Sequence, residues 1–344
     1  MGAKLDAIMK QVNKDVKDTA FTKGMPEYNY EKIPFTSPRM NYITYGGLPL
    51  GRLVEFFGEE GGGKTTTALD MVANFQNMYP DREVLYVDAE NTLDIEWARK
   101  IGVDVDNINL YQPKMEPAEY VFQIIKDAVN SGEVGLWVLD SIPCLTCQAD
   151  LEKDLTDSAR VAGVSGPLTR FSREIVGPCS KNNCMGIGIN QLRDKINSNI
   201  PGMTNTPGGR GWKHFCTNRI QFMKGNYVDE TGKTISKSSG EPDSQKIMVN
   251  MVKTKSCRPT HHVGYYTINY NTGIDYITDL IDLAIYFNIV DKSGSWYTIM
   301  NPETGEVLVD KIQGQSNVNK YLEDHDDVFE QIEQLVTKNI ENIS

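Results

Sequence analysis

The stretch Gly58-Glu59-Glu60-Gly61-Gly62-Gly63-Lys64-Thr65-Thr66 has the spacing G-x-x-x-x-G-K-[ST], whose backbone N–H groups wrap a row of phosphates. Glycines at 58 and 61–63 leave the chain free to make tight, partly left-handed turns that other residues resist. A helix starting here adds the positive end of its dipole. Lys64 has the reach for the β- and γ-phosphates, and the Thr65 hydroxyl suits Mg²⁺. The chemistry is that of a nucleoside triphosphate site, with Mg²⁺ as the expected ion.

Three further stretches end in groups that such a site uses. Val134-Gly135-Leu136-Trp137-Val138-Leu139-Asp140 is an apolar run closing on an acid, and a carboxylate there orients Mg²⁺. Val84-Leu85-Tyr86-Val87-Asp88-Ala89-Glu90 ends in two acids, either of which could polarise the water attacking a γ-phosphate. Residue type does not choose between Asp88 and Glu90, although glutamate reaches further. Met185 to Gln191 ends in two amides, and Gln191 suits a hydrogen bond to the γ-phosphate. Residues 192–213 follow directly and carry Arg193, Lys195, Arg210 and Lys213 against Asp194, with Gly202, Gly208, Gly209 and Gly211. A glycine-rich basic loop wired to the nucleotide suits nucleic acid.

These groups need a scaffold that brings strand ends together. Arg52 to Phe57 reads as the strand entering the phosphate loop and Thr65 to Met78 as the helix leaving it. Strands are expected at 52–57, 83–88, 134–140, 184–190, 218–223, 246–252 and 264–270, and helices at 65–78, 92–101, 116–130 and 158–177. Strands alternating with helices specify a mostly parallel sheet, whose ligands sit at the carboxyl ends of the strands. The fold class is α/β: a P-loop ATPase core around a mostly parallel twisted sheet, flanked by an N-terminal helix and a small α+β C-terminal domain. Residues 1–33 form the helix and linker, with an apolar stripe at Leu5, Ile8, Met9, Val12 and Val16. Residues 34–274 form the core and 275–344 the C-terminal domain. The polar stretch 223–245 reads as an exposed hairpin or loop, and a last helix shows Val328, Phe329, Ile332, Leu335, Val336 and Ile340 on one face.

Composition bounds the rest. The 344 residues carry 46 acidic and 35 basic side chains, net −11, which argues against a surface basic all over but not against a local basic groove. No apolar run suits a membrane span, and the first residues do not read as a secretion signal, so the expectation is a cytoplasmic protein with no membrane partner. Cys144 and Cys147 make a C-x-x-C without a second pair. Together with Cys179, Cys184, Cys216 and Cys257 they read as buried reduced thiols.

In order and spacing, these motifs resemble the bacterial RecA family of recombinases, including its phage-encoded members. Gly46 to Arg52 resembles the family's lead-in to the phosphate loop, and Asp88-Ala89-Glu90 with Leu93-Asp94 the segment bearing its catalytic glutamate. Asp140-Ser141 resembles its second nucleotide motif, Asn190-Gln191 its γ-phosphate sensor, and Gly294-Ser295-Trp296-Tyr297 part of its C-terminal domain. The resemblance implies Glu90 as the residue activating water and Gln191 as the link to the DNA loop. It places Asp94, Trp97 and Tyr270 near the base of ATP, and Lys253 and Lys255 as cations reaching the neighbouring subunit's ATP. It implies Arg170 and Arg173, together with Arg193, Lys195, Gly208, Gly209, Arg210 and Lys213, as DNA contacts. The implied activity is a DNA-dependent ATPase that forms a helical filament on single-stranded DNA, pairs it with a homologous duplex and exchanges strands. Accessory single-strand-binding and loader proteins are candidate partners. The sequence departs from the family at Arg210-Gly211-Trp212-Lys213-His214-Phe215, and around the acidic stretch 150–163. A ring helicase and an ATP-binding filament without strand exchange are the rival readings.

Overall fold

A strand covered on both faces must be apolar at nearly every position, and the runs at Leu53–Gly58, Val134–Asp140 and Met185–Gln191 are buried almost throughout. A computed structural model describes residues 3–16, 30–153, 163–194, 204–236, 240–301 and 304–343. Among these, the strands order as Gly273–Ile274, Val263–Asn269, Ser244–Lys253, Asn218–Val228, Leu53–Gly58, Met185–Gln191, Val134–Asp140, Glu83–Asp88 and Asn109–Tyr111. Pairing is parallel from Asn218–Val228 through to Asn109–Tyr111 and antiparallel on the other side. Register sets Gly58 opposite Gln191 and Asp88 opposite Asp140, so four informative strand ends share one edge.

Successive side chains on these strands alternate between two apolar layers. Val54, Phe56, Leu136, Val138, Ile187 and Ile189 join the layer under helix Lys64–Met78, where Ala68, Leu69, Val72 and Phe75 are buried. Leu53, Leu85, Val87, Trp137 and Leu139 join the opposite layer, under helices Ala118–Ser131 and Ser165–Lys181. Gly186 and Gly188 permit two tryptophans on that face: a Cβ at Gly186 would collide with the ring of Trp137, and one at Gly188 with that of Trp212.

The sequence expectations need several corrections. Helix Ile95–Ile101 starts three residues late because Asp94 is its N-cap, accepting from Trp97 N. Within the expected helix 158–177, residues 158–162 lie outside the described ones; the helix runs Ser165–Lys181 and passes through Pro178. The strand expected at 218–223 runs on to Val228, and 234–235 pairs back on it, so the polar stretch is a hairpin. Edge strand Asn109–Tyr111 and the pair Lys32–Ile33 with Leu48–Pro49 are too short for a periodic signal.

Helix Ala3–Val16 belongs to a separate unit, Met1–Glu31, and carries Leu5 and Ile8 exposed; residues 17–18 of its expected span lie outside the described ones. Residues 32–344 form one compact unit. At its C-terminal end, strands Val290–Ser293, Trp296–Met300 and Val307–Gln313 make an antiparallel sheet beside helices Tyr276–Tyr286, Gln315–Glu323 and Asp326–Glu341. Val328, Ile332, Val336 and Ile340 are buried in the layer that also covers the phosphate-loop helix, with Phe329 and Leu335 packed at its margin.

Two buried carboxylates pin the segment entering the core. Thr36 N donates to Asp70 Oδ2 at 3.1 Å, and Arg39 N to Asp279 Oδ2 at 3.1 Å, which the Ser37 hydroxyl also reaches. Burial pushes Asp70 up to about 6 and Asp279 up to about 7, against the opposing pull of these hydrogen bonds. An unfolded Asp releases its proton near 4, so both groups hold theirs longer in the folded chain. Their stabilising contribution is full below about pH 4 and is lost as pH rises through 6 to 7. Asp279→Asn removes one such contribution. Denaturant titrations should show stability falling about 2–3 kcal/mol more between pH 5 and pH 8 in the parent than in the variant, whereas equal slopes would contradict the assignment.

Candidate active site

The phosphate loop links strand Leu53–Gly58 to helix Lys64–Met78, with Gly63 left-handed at the helix N-cap. Its glycines are required by space as well as by torsion. A Cβ at Gly58 would collide with the Phe222 carbonyl, and one at Gly63 would lie 2.9 Å from Ile268 Cδ1. Lys64 is buried and donates to Glu59 O at 2.7 Å, folding back over the loop. Burial holds its ammonium below the ordinary range, while Asp140 and Glu90 pull the other way. Glu59, Glu60 and Gly61 are exposed at the tip, Gly62 is buried, and Thr66 lies just inside the helix.

Thr65 Oγ1 donates to Asp140 Oδ2 at 2.7 Å, and Tyr86 OH donates to the same oxygen at 3.0 Å. Burial pushes Asp140 up to about 6; the Thr65 hydrogen bond opposes this and the charge of Glu90 adds to it. A hydroxyl and a carboxylate this close, beside a glycine cradle, are the donor set that Mg²⁺ takes with few protein ligands. The residues fit the ion.

The two acids left open by sequence have different work. Asp88 is buried and accepts from Thr92 N at 3.3 Å, Leu93 N at 3.1 Å and Gln112 Nε2 at 2.9 Å, so it shapes the loop after its strand. Glu90 Oε1 accepts from the Ser141 hydroxyl, from Gln191 Nε2 at 3.2 Å and from Cys144 Sγ at 3.7 Å. Lys64, Thr65, Glu90, Asp140 and Gln191 therefore converge on one sheet edge. The Asp140–Ser141 peptide is cis.

Sequence reasoning missed several partners here. Ser141 orients Glu90 and Tyr86 orients Asp140. Asn190 donates from Nδ2 to Glu55 Oε1 at 2.8 Å and to Pro207 O at 3.0 Å, tying the sensor strand to the far end of the basic segment. Glu55 is buried and ion-paired with Arg219. A charged residue inside an apolar strand is the signal that could have found this pair. Cys144 corrects the expectation of buried thiols: it is exposed beside Glu90, while Cys147, Cys179, Cys184 and Cys216 are buried and Cys257 is half-buried. No metal-binding cluster of His, Cys, Asp and Glu occurs among the described residues.

Other candidates lie outside this cluster. Trp97 Nε1 donates to Thr66 Oγ1 at 3.2 Å, which sets its ring beside the loop, and Asp94 is occupied as a helix cap. Tyr270 is partly exposed and bonds Gln245 Oε1 at 3.2 Å. Lys253 donates to Lys213 O at 2.6 Å and His214 O at 2.8 Å, closing the C-terminus of helix Gly209–Phe215; Lys255 is exposed. Arg170 pairs with Glu174 at 2.9 Å, which Lys126 also holds at 2.6 Å, while Arg173 is exposed. Arg193 and Arg210 are exposed and Lys213 bonds Asn205; Lys195 lies outside the described residues. The segment's ends are zipped by the pairing of Arg193 with Asn205 and Asp194 with Thr204, and Gly208 and Gly209 adopt left-handed torsions where the next helix begins. No helix among the described residues is long and apolar enough to cross a membrane.

The family model for the RecA N-terminal domain matches residues 3–275 and that for the RecA C-terminal domain matches 278–341. Protein RecA of Lactobacillus acidophilus is 32% identical over 342 residues, covering 97% of this chain and 87% of that one. Protein RecA of Aquifex aeolicus is 33% identical over 315 residues, covering 91% and 85%, and that of Clostridioides difficile is 35% identical over 294, covering 86% and 78%.

Gly58→Ala should force the Asn218–Val228 backbone away from the loop. Equilibrium dialysis should show ATP affinity reduced at least about tenfold, the 1.4 kcal/mol scale of a modest backbone clash, while the exposed Glu59→Ala leaves it unchanged. Equal affinities would contradict the close approach.

Proposed function

The chain belongs to the RecA family, and from that premise we propose how its residues carry out the work of a DNA-dependent ATPase in recombination and repair. Residues 58–66 bind the triphosphate of ATP, Lys64 meeting its outer phosphates. Thr65 Oγ1 and Asp140 would hold Mg²⁺, which when bound neutralises charge on the phosphate oxygens. Glu90 takes a proton from the water that attacks the γ-phosphorus. The described donors to its carboxylate all use Oε1, so Oε2 is the oxygen left to accept that proton.

The Gln191–Glu90 hydrogen bond carries this reading. Gln191 ends the strand that leads into the basic segment, so one amide serves both the hydrolytic carboxylate and the DNA loop. Its side chain can donate to Glu90 or to a γ-phosphate, which makes it a two-position switch of the order–disorder kind. Arg193, Lys195, Arg210 and Lys213, with the turns at Gly208 and Gly209, would meet single-stranded DNA, and Arg170 and Arg173 would extend that surface. Lys253 and Lys255 would act across a subunit boundary, and residues 1–33 would pack on the adjacent protomer of a helical filament. Asp94, Trp97 and Tyr270 would border the base. Residues 34–274 would form the motor and 275–344 an appended domain. The setting is the cytoplasm, with a homologous duplex as second DNA substrate and with single-strand-binding and loader proteins as accessories.

Glu90→Gln tests the mechanism. Steady-state ATP hydrolysis should fall about 10²-fold or more, the range for losing a general base, while ATP and single-stranded DNA still bind with near-parental affinity. Turnover near the parental rate would remove Glu90 from its role.

A further inference from the structure

Helix Gly209–Phe215 closes the basic segment and is too short to be stable alone. Its hold on the molecule is Trp212, which is fully buried. The indole ring meets Gly188 so closely that a Cβ there would collide with it, and Ile142 Cδ1 comes to 3.1 Å of the same point. Leu168 packs against Gly208 and Thr169 against Gly211. Gly188 lies three residues before Gln191 on one strand, and Ile142 directly follows Ser141. Gln191 and Ser141 are two of the donors that hold Glu90 Oε1. The ring thus packs on the strand and the turn that carry two of the donors to Glu90, while its helix is joined to the basic segment.

The joint is tight at that end as well. Asn190 holds Pro207 O, Lys213 bonds Asn205, and Lys253 grips the last carbonyls of the helix, so the helix is fastened at both ends. Within the socket the ring is retained by shape, since Trp212 Nε1 has no hydrogen-bond partner among the described residues. A close-packed ring facing a bare glycine backbone transmits displacement with no side chain to absorb it.

We propose that Trp212 is a positioning residue for ATP hydrolysis: it relays DNA contact at the basic segment to Ser141 and Gln191, and through them to Glu90. The proposal rests on the reading of Glu90 as base and of the basic segment as DNA contact. It assigns a role to a residue where the chain departs from its family, and it makes the indole, rather than the loop's charge, the carrier of DNA stimulation.

The test is ATP turnover by Trp212→Phe and Trp212→Leu with and without single-stranded DNA, alongside DNA affinity and melting. Trp212→Phe keeps an aromatic in the socket and provides a folded variant should Trp212→Leu melt early. The DNA-stimulated kcat should drop about tenfold, within the span of coupling changes produced by non-contacting residues. KM for ATP, turnover without DNA and DNA affinity should stay within about threefold of the parent. Adding Gly188→Ala to Trp212→Leu, which refills part of the socket, should recover part of the stimulation. Parental stimulation in a folded variant overturns the proposal, as does a loss that tracks DNA affinity or melting temperature. If instead Glu90→Gln retains turnover, the underlying reading of the site fails, whatever the Trp212 variants do.

Discussion

Three carboxylates, Asp88, Glu90 and Asp140, meet at one edge of a sheet, with the buried Lys64 as the cation beside Asp140 and Glu90. Like charges in a poorly solvated place repel, and the consequence is visible at Asp140, which burial and its acidic neighbours push up to about 6. The chain answers with directed hydrogen bonds. Asp88 is absorbed by backbone N–H groups and Gln112, Asp140 by the hydroxyls of Thr65 and Tyr86, and Glu90 by Ser141 and Gln191. Each acid is thereby given a separate task. A divalent cation held by Thr65 and Asp140, and phosphates meeting Lys64, would relieve this repulsion.

That arrangement depends on strand order. Parallel pairing with Gly58 opposite Gln191 and Asp88 opposite Asp140 brings to one edge groups that lie far apart in sequence. A slip of one residue would turn the alternating apolar layers inside out, so packing on both faces fixes the register that the chemistry needs. The same strands extend beyond the site: Met185–Gln191 continues into the basic segment, and Asn190, Trp212 and Lys253 fasten that segment's far end to the core.

The phosphate loop, the apolar strands and their terminal acids and amides were legible because each is a local pattern of residue type and period. The division of labour between Asp88 and Glu90 was not, since it depends on which loop N–H groups fold back onto Asp88. The resemblance gives Lys253 a role toward a neighbour; that it also caps a short helix of its own chain, a contact spanning about forty residues, is something no local pattern encodes. Cys144 reads like Cys147 in sequence, yet one is exposed beside Glu90 and the other buried. Trp212 lies in a stretch where the sequence departs from the family, and its burial was not legible because its socket is made by Gly188, a residue with no side chain to announce it.

In the proposed function, one amide and one strand connect hydrolysis to DNA. The most direct measurement is the rate of ATP hydrolysis by the full chain with and without single-stranded DNA, with electron microscopy of the same mixtures. The account predicts turnover stimulated by DNA together with helical filaments. Turnover indifferent to DNA, or closed rings in place of filaments, would contradict it.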